Sequence, residues 1–324
     1  MALSWLVYGL RLIRDYSAVA GVCFYMLGYS TIVTCVTLCV TFITVEYLPS
    51  YFSGAHRRGD SYSERVATWP GWHFCWTRVM RMPPAEVVLH DATMDPTVQR
   101  IFGSHPHGVG SLHHMGVMMC PPVCAPGKSF ERVSPGKSRR ELAATILFRI
   151  PGLRELALAL GCCDAGRAVV DNVLAKGLSI GLMVGGEQEQ LLSQRGEHTV
   201  YVTKRKGIMK MALRHGVPLV PCYAFGETDL YHQSRIGLPF RQWMASTLGI
   251  AITLAYGRFL LLPFLPIPTK VVQVIGTPIS VDKVAEPSAQ DIERLHAKYM
   301  AGLKAVFDEH KGRLGYADAE LVLV

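Results

Sequence analysis

Two histidines flank a proline in the run Gly103-Ser104-His105-Pro106-His107-Gly108, and no other residues of this 324-residue chain are better placed by type to do chemistry. Imidazole titrates near neutrality, so it can take up and return a proton at physiological pH. An apolar, β-like run leads into the motif. Pro106 stiffens the turn, Gly108 lets backbone approach a ligand closely, and the small residues that follow read as a helix start. The positive end of such a helix disfavours imidazolium and keeps the ring neutral, as a general base requires. The base would take the proton from an attacking hydroxyl. The spacing carries a second meaning. On a strand, alternate side chains share a face, so His105 and His107 could also hold one metal ion, as in a metal-dependent hydrolase. Gly108 and Val109 stand where such sites normally bring a further ligand. A serine-hydrolase elbow, G-x-S-x-G, is not completed by Gly108-Val109-Gly110-Ser111, because Leu112 and His113 follow. Cys120 and Cys124, near His113 and His114, lack the usual zinc spacing and read as loop cysteines.

Three further stations accompany the histidines. Val184-Gly185-Gly186-Glu187-Gln188-Glu189 is an apolar strand that ends in two glycines, with carboxylates at a helix start; a carboxylate there can orient a histidine. Thr203-Lys204-Arg205-Lys206-Gly207 runs on through Lys210 and Arg214. Lys206, Lys210 and Arg214 lie one helical turn apart, a basic stripe suited to phosphates or anionic lipid heads. Leu219 to Glu227 is a buried strand that again ends at glycine and carboxylate, in Phe225-Gly226-Glu227. Three strand ends carrying His, Glu and Glu make one convergent site.

Short β-like runs alternate with helical ones to position these stations. The expected strands are 98–104, 179–184, 199–203, 218–224 and 270–275. The expected helices are 110–118, 139–148, 152–160, 165–175 and 207–215. Such alternation predicts an α/β sandwich with a mixed, partly parallel sheet. A last helix opens at Ser288 with Asp291 in a capping box. It continues through Ile292, Leu295, Tyr299, Leu303 and Val306, and ends at Gly312.

Between Asp15 and Glu46 lie 30 uncharged, mostly apolar positions. About 20 residues suffice to cross a bilayer, so residues 16–45 predict a transmembrane helix or a re-entrant hairpin turning near Gly28. Basic residues on both sides favour the hairpin. The organisation expected is an N-terminal segment 1–15, the membrane segment 16–45, a linker 46–77 and a catalytic domain 78–324. A second apolar run, 247–268, is interrupted by Arg258 and broken by prolines. The net charge is +8 with 18% charged residues and 50% hydrophobic ones. That balance excludes an acidic or highly charged soluble domain and points to anionic lipid and a phosphate-bearing substrate. No zinc finger, aromatic RNA-binding signature or basic arm speaks for nucleic acid. The nine cysteines form no disulfide framework.

In order along the chain come His105-Pro106-His107-Gly108, Phe148-Arg149-Ile150-Pro151-Gly152-Leu153-Arg154-Glu155, Val184-Gly185-Gly186 with Glu189, Arg205-Lys206-Gly207 to His215-Gly216, Leu219-Val220-Pro221 to Phe225-Gly226-Glu227, Gly257-Arg258 and Gly276-Thr277-Pro278-Ile279. From about residue 78 to 324 this series resembles the type 2 diacylglycerol acyltransferase family, which includes monoacylglycerol and wax-alcohol acyltransferases. The resemblance implies an acyltransferase-like fold and transfer of an acyl group from acyl-CoA to diacylglycerol, giving triacylglycerol. Monoacylglycerol or a long-chain alcohol is the alternative acceptor. It implies acyl-CoA as co-substrate with no further cofactor and no metal. It also implies an endoplasmic-reticulum membrane protein with cytosolic catalysis, lipid-droplet association and room for homo-oligomers. His107 is implied as the base, Glu189 as its partner and His105 in support. The substrate- and CoA-binding set is Gly108, Arg149, Gly185, Gly186, Arg205, Lys206, Lys210, Arg214, Phe225, Gly226 and Glu227. Two departures stand out. Met82-Pro83-Pro84 replaces the family's aromatic-aromatic-proline tripeptide. Glu187 and Gln188 stand where small residues are common, which leaves Glu187 and Glu189 as alternatives for the carboxylate that faces the site.

Overall fold

The computed structural model describes residues 17, 19–21, 37–38, 40–41, 45, 47–91, 94–248 and 251–324. The apolar segment 16–45 lies largely outside them, and with it the choice between a single span and a hairpin. Among the described residues, no helix is long and apolar enough to cross a membrane. The chain divides into two compact units, Met1–Arg57 and Arg58–Val324. In the first, Leu48–Phe52 forms a short helix with proline in its first turn, where a missing N–H costs nothing.

The second unit is built on seven strands: β1 Glu86–Leu89, β2 Ile101–His105, β3 Arg139–Ala143, β4 Cys162–Asp164, β5 Ser179–Met183, β6 Leu219–Phe225 and β7 Val272–Ile275. They lie in the order β1-β7-β6-β2-β5-β3-β4. Only the β7–β6 pair is antiparallel. This is the mixed, partly parallel α/β sheet that the alternation predicts. β6 is an interior strand, third of the seven, with all seven residues buried, which is why its sequence is apolar without alternation. Because β2, β5 and β6 run parallel, their carboxyl ends reach one edge, where open α/β sheets gather their ligands.

Six helices complete this part of the unit: α1 Leu153–Ala159, α2 Arg167–Ala175, α3 Gly186–Leu192, α4 Gly207–His215, α5 Leu238–Leu248 and α6 Ala289–Lys311. α2 buries Val169, Val170, Val173 and Leu174, and α4 buries Ile208, Met209, Met211, Ala212 and Leu213. α4 stops at Gly216, whose φ of 66° is the left-handed cap conformation that glycine adopts without strain. α6 opens with the expected reciprocal capping box of Ser288 and Asp291. Its Leu295, Tyr299, Leu303, Val306 and Phe307 are buried in the main core. Tyr223 and Phe225, on one face of β6, close on Phe307 at ring distances of 5.0 and 5.4 Å.

Three local expectations changed. Residues 139–148 form strand β3 and a 3-10 turn, Thr145–Arg149, instead of a helix. Residues 110–118 give only the π-helical segment His113–Met118. Residues 199–203 contribute a short strand, His198–Val200, that pairs outside the main sheet with Leu321–Leu323. Part of the stretch read as linker is fixed to the unit: Trp76 is 1% exposed, its indole N–H donates to the Pro83 carbonyl at 2.7 Å, and the Gly59 carbonyl accepts from Arg140 at 2.8 Å.

Candidate active site

Strand β2 delivers His105 at its last position, and the chain then turns through Pro106, His107 and Gly108. His105 is fully buried. Its Nδ1 lies 3.1 and 3.2 Å from the two oxygens of Glu189, and its Nε2 lies 3.1 Å from the Tyr299 hydroxyl. The Tyr299 hydroxyl in turn reaches the Gly103 carbonyl at 3.1 Å. Both nitrogens of His105 are engaged inside the protein, so it has no lone pair to offer a substrate or a metal shared with His107.

His107 is arranged differently. Its ring is half-buried on the wall of a cavity of about 1490 Å³. Its Nδ1 lies 3.0 Å from the Gly108 carbonyl and 3.0 Å from Ser111 Oγ, while Ser111 Oγ donates to the His107 carbonyl at 3.1 Å. A carbonyl oxygen can only accept, so Nδ1 carries the hydrogen and the lone pair sits on Nε2. Burial pulls the pKa of His107 below its ordinary value, opposed by the Gly108 contact and the charge of Glu189. Desolvation, not a helix dipole, therefore keeps this ring neutral. The segment that follows is short, and its first N–H groups, those of Leu112 and His113, donate to Glu227 at 3.0 and 2.9 Å.

Of the two glutamates left open by sequence, Glu189 is the one at the histidines. It is 1% exposed and accepts from the His107 main-chain N–H at 2.6 Å and from the Tyr201 N–H at 2.8 Å, besides facing the His105 ring. It meets the ring of His105 and only the backbone of His107. Its place follows from β5: the strand ends, Gly185 and Gly186 turn the chain, and α3 begins. A side chain on Gly185 would collide with the Glu189 carboxylate. Gln190, one residue on, donates to the Val109 carbonyl at 2.7 Å and pins the loop after His107. Glu187 faces the cavity; burial raises its pKa and the Arg205 charge opposes the rise.

Glu227, two residues beyond the end of β6, is 1% exposed and lies against Gly108, where any side chain would meet it. It braces the turn from the far side and does not line the cavity. Phe225 belongs to the aromatic core with Tyr223, Phe307 and Tyr316, and Gly226 is a left-handed turn against the Lys270 carbonyl. Neither borders the cavity, and Arg149 is exposed outside its lining. In contrast, Gly186, Arg205, Lys206, Lys210 and Arg214 all line it. Arg205 donates to the Gly185 carbonyl at 2.8 Å and lies over the Tyr201 ring. Lys206 pairs with Glu293, and Arg214 lies 3.9 Å from Asp171. These are surface pairs of small worth that an anion of higher charge can displace. Apolar side chains such as Leu147, Leu156, Met119 and Ile180 form much of the remaining wall. The cavity thus joins a neutral imidazole to an apolar chamber edged with cations.

Tyr299 and Ser111 went unnoticed in sequence: the tyrosine served only as a core position of the last helix, and the serine only as part of a failed motif. The loop cysteines are neutral. Cys120 and Cys124 face the Met115 and Val117 carbonyls, and burial pushes both thiols up to about 12. Among the described residues, His90, Glu309 and His310 are the group of donors close enough for a metal. His90 Nδ1 already lies 3.1 Å from His310 Nε2, and the other nitrogen of His310 contacts the Arg313 guanidinium, an unfavourable neighbour for a cation.

A family model described as "Diacylglycerol acyltransferase" matches residues 31–324. The chain is 35% identical over 268 residues to "Diacylglycerol O-acyltransferase 1" of Eremothecium gossypii, covering 77% of this chain and 57% of that protein. It is 32% identical over 271 residues to "2-acylglycerol O-acyltransferase 1" of Mus musculus, covering 80% of this chain and 77% of that one. It is 32% identical over 282 residues to "Diacylglycerol O-acyltransferase 2" of Homo sapiens, covering 83% and 70%. The match thus spans little more than half the length of the Eremothecium relative.

Proposed function

Because this chain belongs to the diacylglycerol acyltransferase family, we propose that it transfers the acyl group of acyl-CoA to the free hydroxyl of diacylglycerol, giving triacylglycerol and CoA. The observation that carries this reading is His107: a neutral imidazole whose hydrogen is held on Nδ1, set on the wall of an apolar chamber with a basic rim.

His107 Nε2 takes the proton of the acceptor hydroxyl as its oxygen bonds to the thioester carbon. The carbonyl oxygen becomes an oxyanion. Leu112 and His113 have committed their N–H groups to Glu227, so donors of the 108–111 turn stabilise it. The carbon–sulfur bond then breaks, and the imidazolium returns its proton to the CoA thiolate, which regenerates neutral His107. No covalent acyl-enzyme and no cofactor beyond acyl-CoA enter the scheme. His105, Glu189 and Tyr299 hold the turn. Arg205, Lys206, Lys210 and Arg214 receive the phosphates of CoA, and Gly186 lets the chain pass close beneath them. Segment 16–45 anchors the protein in the endoplasmic-reticulum membrane with the catalytic unit cytosolic, where acceptor and acyl chains enter from the bilayer.

Monoacylglycerol is the second acceptor to consider, since one relative bears the name 2-acylglycerol O-acyltransferase; a long-chain alcohol is the third. The test uses membranes of a host without neutral-lipid synthesis, supplied with labelled oleoyl-CoA and each acceptor in turn. Labelled triacylglycerol is expected, falling by about 10²-fold or more in His107→Ala, the scale of general-base catalysis. Undiminished product in that variant removes His107 from the mechanism. Wax ester or diacylglycerol as the main product keeps the mechanism and changes the acceptor.

A further inference from the structure

The cavity contains a second polar centre that acyl transfer at His107 does not use. His114 lines it and is only 5% exposed, yet neither of its ring nitrogens has a hydrogen-bond partner. Glu141, on β3, stands beside it, 2% exposed. Glu141 Oε2 is 3.3 Å from His114 Nε2, but the contact lacks hydrogen-bond geometry and that oxygen too is unpartnered. The other oxygen of Glu141 is held by Arg139 Nε. Buried polar atoms are seldom left unmade, because each then bears its full desolvation penalty. The surrounding wall is apolar, with Met115, Met119 and Leu142 among its members, and the His114 ring borders the cavity while its nitrogens are covered in this side-chain conformation. The cavity is the side from which a partner can come, reached by a turn of the ring about its side-chain bonds.

The chemistry of that partner follows from the ring. Burial holds the His114 pKa down at about 4, with His113, His107 and Arg139 acting in the same direction and Glu141 opposing. At neutral pH the imidazole is uncharged and offers one N–H and one lone pair. It suits an uncharged oxygen, a hydroxyl or an ester carbonyl. A phosphate would meet Glu141. His107 borders the same cavity, near enough for its charge to oppose protonation of His114. A glyceride carries oxygens beside its reacting hydroxyl; a simple long-chain alcohol carries only methylenes there.

We infer that His114, backed by Glu141, is a second polar subsite of the acceptor cavity, hydrogen-bonding a glycerol oxygen other than the one that reacts and so selecting glycerides over simple alcohols. This rests on the acyl-transfer reading above. A site built to bond a substrate oxygen discriminates strongly against an analogue that lacks it, so loss of the imidazole should erase the discrimination while leaving the chemical step.

The experiment compares the full-length wild type with His114→Leu and His114→Asn. The kcat/KM values for dioleoylglycerol, 2-monooleoylglycerol and hexadecanol are measured with oleoyl-CoA. In His114→Leu the glyceride-to-hexadecanol ratio is expected to fall by about tenfold or more, with the KM for oleoyl-CoA within about threefold of wild type. His114→Asn keeps a donor and an acceptor and should hold the ratio within about threefold. Loss for dioleoylglycerol alone identifies an ester oxygen as the bonded group, and loss for the monoacyl acceptor alone identifies a second hydroxyl. An unchanged ratio, or equal loss for all three acceptors, overturns the subsite. If the leucine variant does not fold, His114→Phe, which fills the ring's volume, is read by the same ratio. A wild-type chain that acylates none of the three removes the acyl-transfer reading and this inference with it; a wild type that works with an unchanged ratio in the variants removes the inference alone.

Discussion

A base that is buried and uncharged leaves a signature in pH dependence. Burial lowers the pKa of His107 below 6.5, and general-base catalysis needs the deprotonated ring. Activity should therefore persist as the pH falls through 6.5 and decline only below the depressed value, about tenfold per pH unit. A kcat/KM profile with oleoyl-CoA saturating checks this, and an acid limb centred above 6.5 would contradict it. The residues behind this signature were unevenly legible in sequence. His107 and Glu189 announce themselves because each sits at a strand end in a short contiguous motif. Tyr299 bonds His105 across 194 positions, a distance that no local spacing spans. The pairing of Glu189 with the ring of His105 instead of His107 depends on how the 105–108 turn points its side chains. Glu141 carries no motif, and His114 entered only beside cysteines that lack zinc spacing; the unpartnered nitrogens of His114 and the unpartnered Oε2 of Glu141 make the pair visible.

At the scale of elements, helices were legible where a cap or a stripe of apolar residues marks them, as in α4 and α6. β3 was not. Its Arg139-Arg140-Glu141-Leu142-Ala143 consists of good helix formers. It is extended because it is wedged between β5 and β4, with Arg139 joined to Glu141 and to the Ser134 and Met118 carbonyls. Tertiary pairing overrides propensity there. α6 offers the quantitative test of element packing. Phe307 is fully buried, stacked on Phe225 at 5.4 Å and edge-on to Tyr223 at 5.0 Å. Phe307→Ala should lower the free energy of unfolding by about 3–5 kcal/mol. Ser288→Ala, which deletes the cap of the same helix, should cost only about 1 kcal/mol. Urea titration of both variants gives the comparison. Near-equal losses would mean that α6 is held by its start and not by its buried face. The same helix presents Tyr299 to His105, so Phe307→Ala should also reduce acyl transfer before it unfolds the protein.

For the molecule as a whole, part of its apolar content lies outside the core, facing outward. Leu260, Leu261 and Phe264 are 74, 92 and 88% exposed, in a loop of the proline-broken apolar run 247–268. Phe240 and Trp243, on α5 before that loop, are exposed as well and stack on each other at 5.8 Å. Soluble proteins seldom leave such side chains together in solvent. Each would contribute about 1.5–3 kcal/mol on transfer into hydrocarbon, and the net charge of +8 adds attraction to anionic lipid heads. If this loop enters the bilayer, its depth can be read independently of segment 16–45. The full chain carrying Leu261→Cys, labelled with an environment-sensitive fluorophore and reconstituted in vesicles, should be quenched by lipids with a nitroxide on the acyl chain. Aqueous iodide should leave it unaffected. The signal is the increment over the parent chain, whose described cysteines other than Cys75 are buried. Quenching by iodide alone would place residue 261 in water. The acceptor would then have to reach the His107 cavity by another side of the unit, and the loop's apolar surface would call for a protein partner in place of lipid.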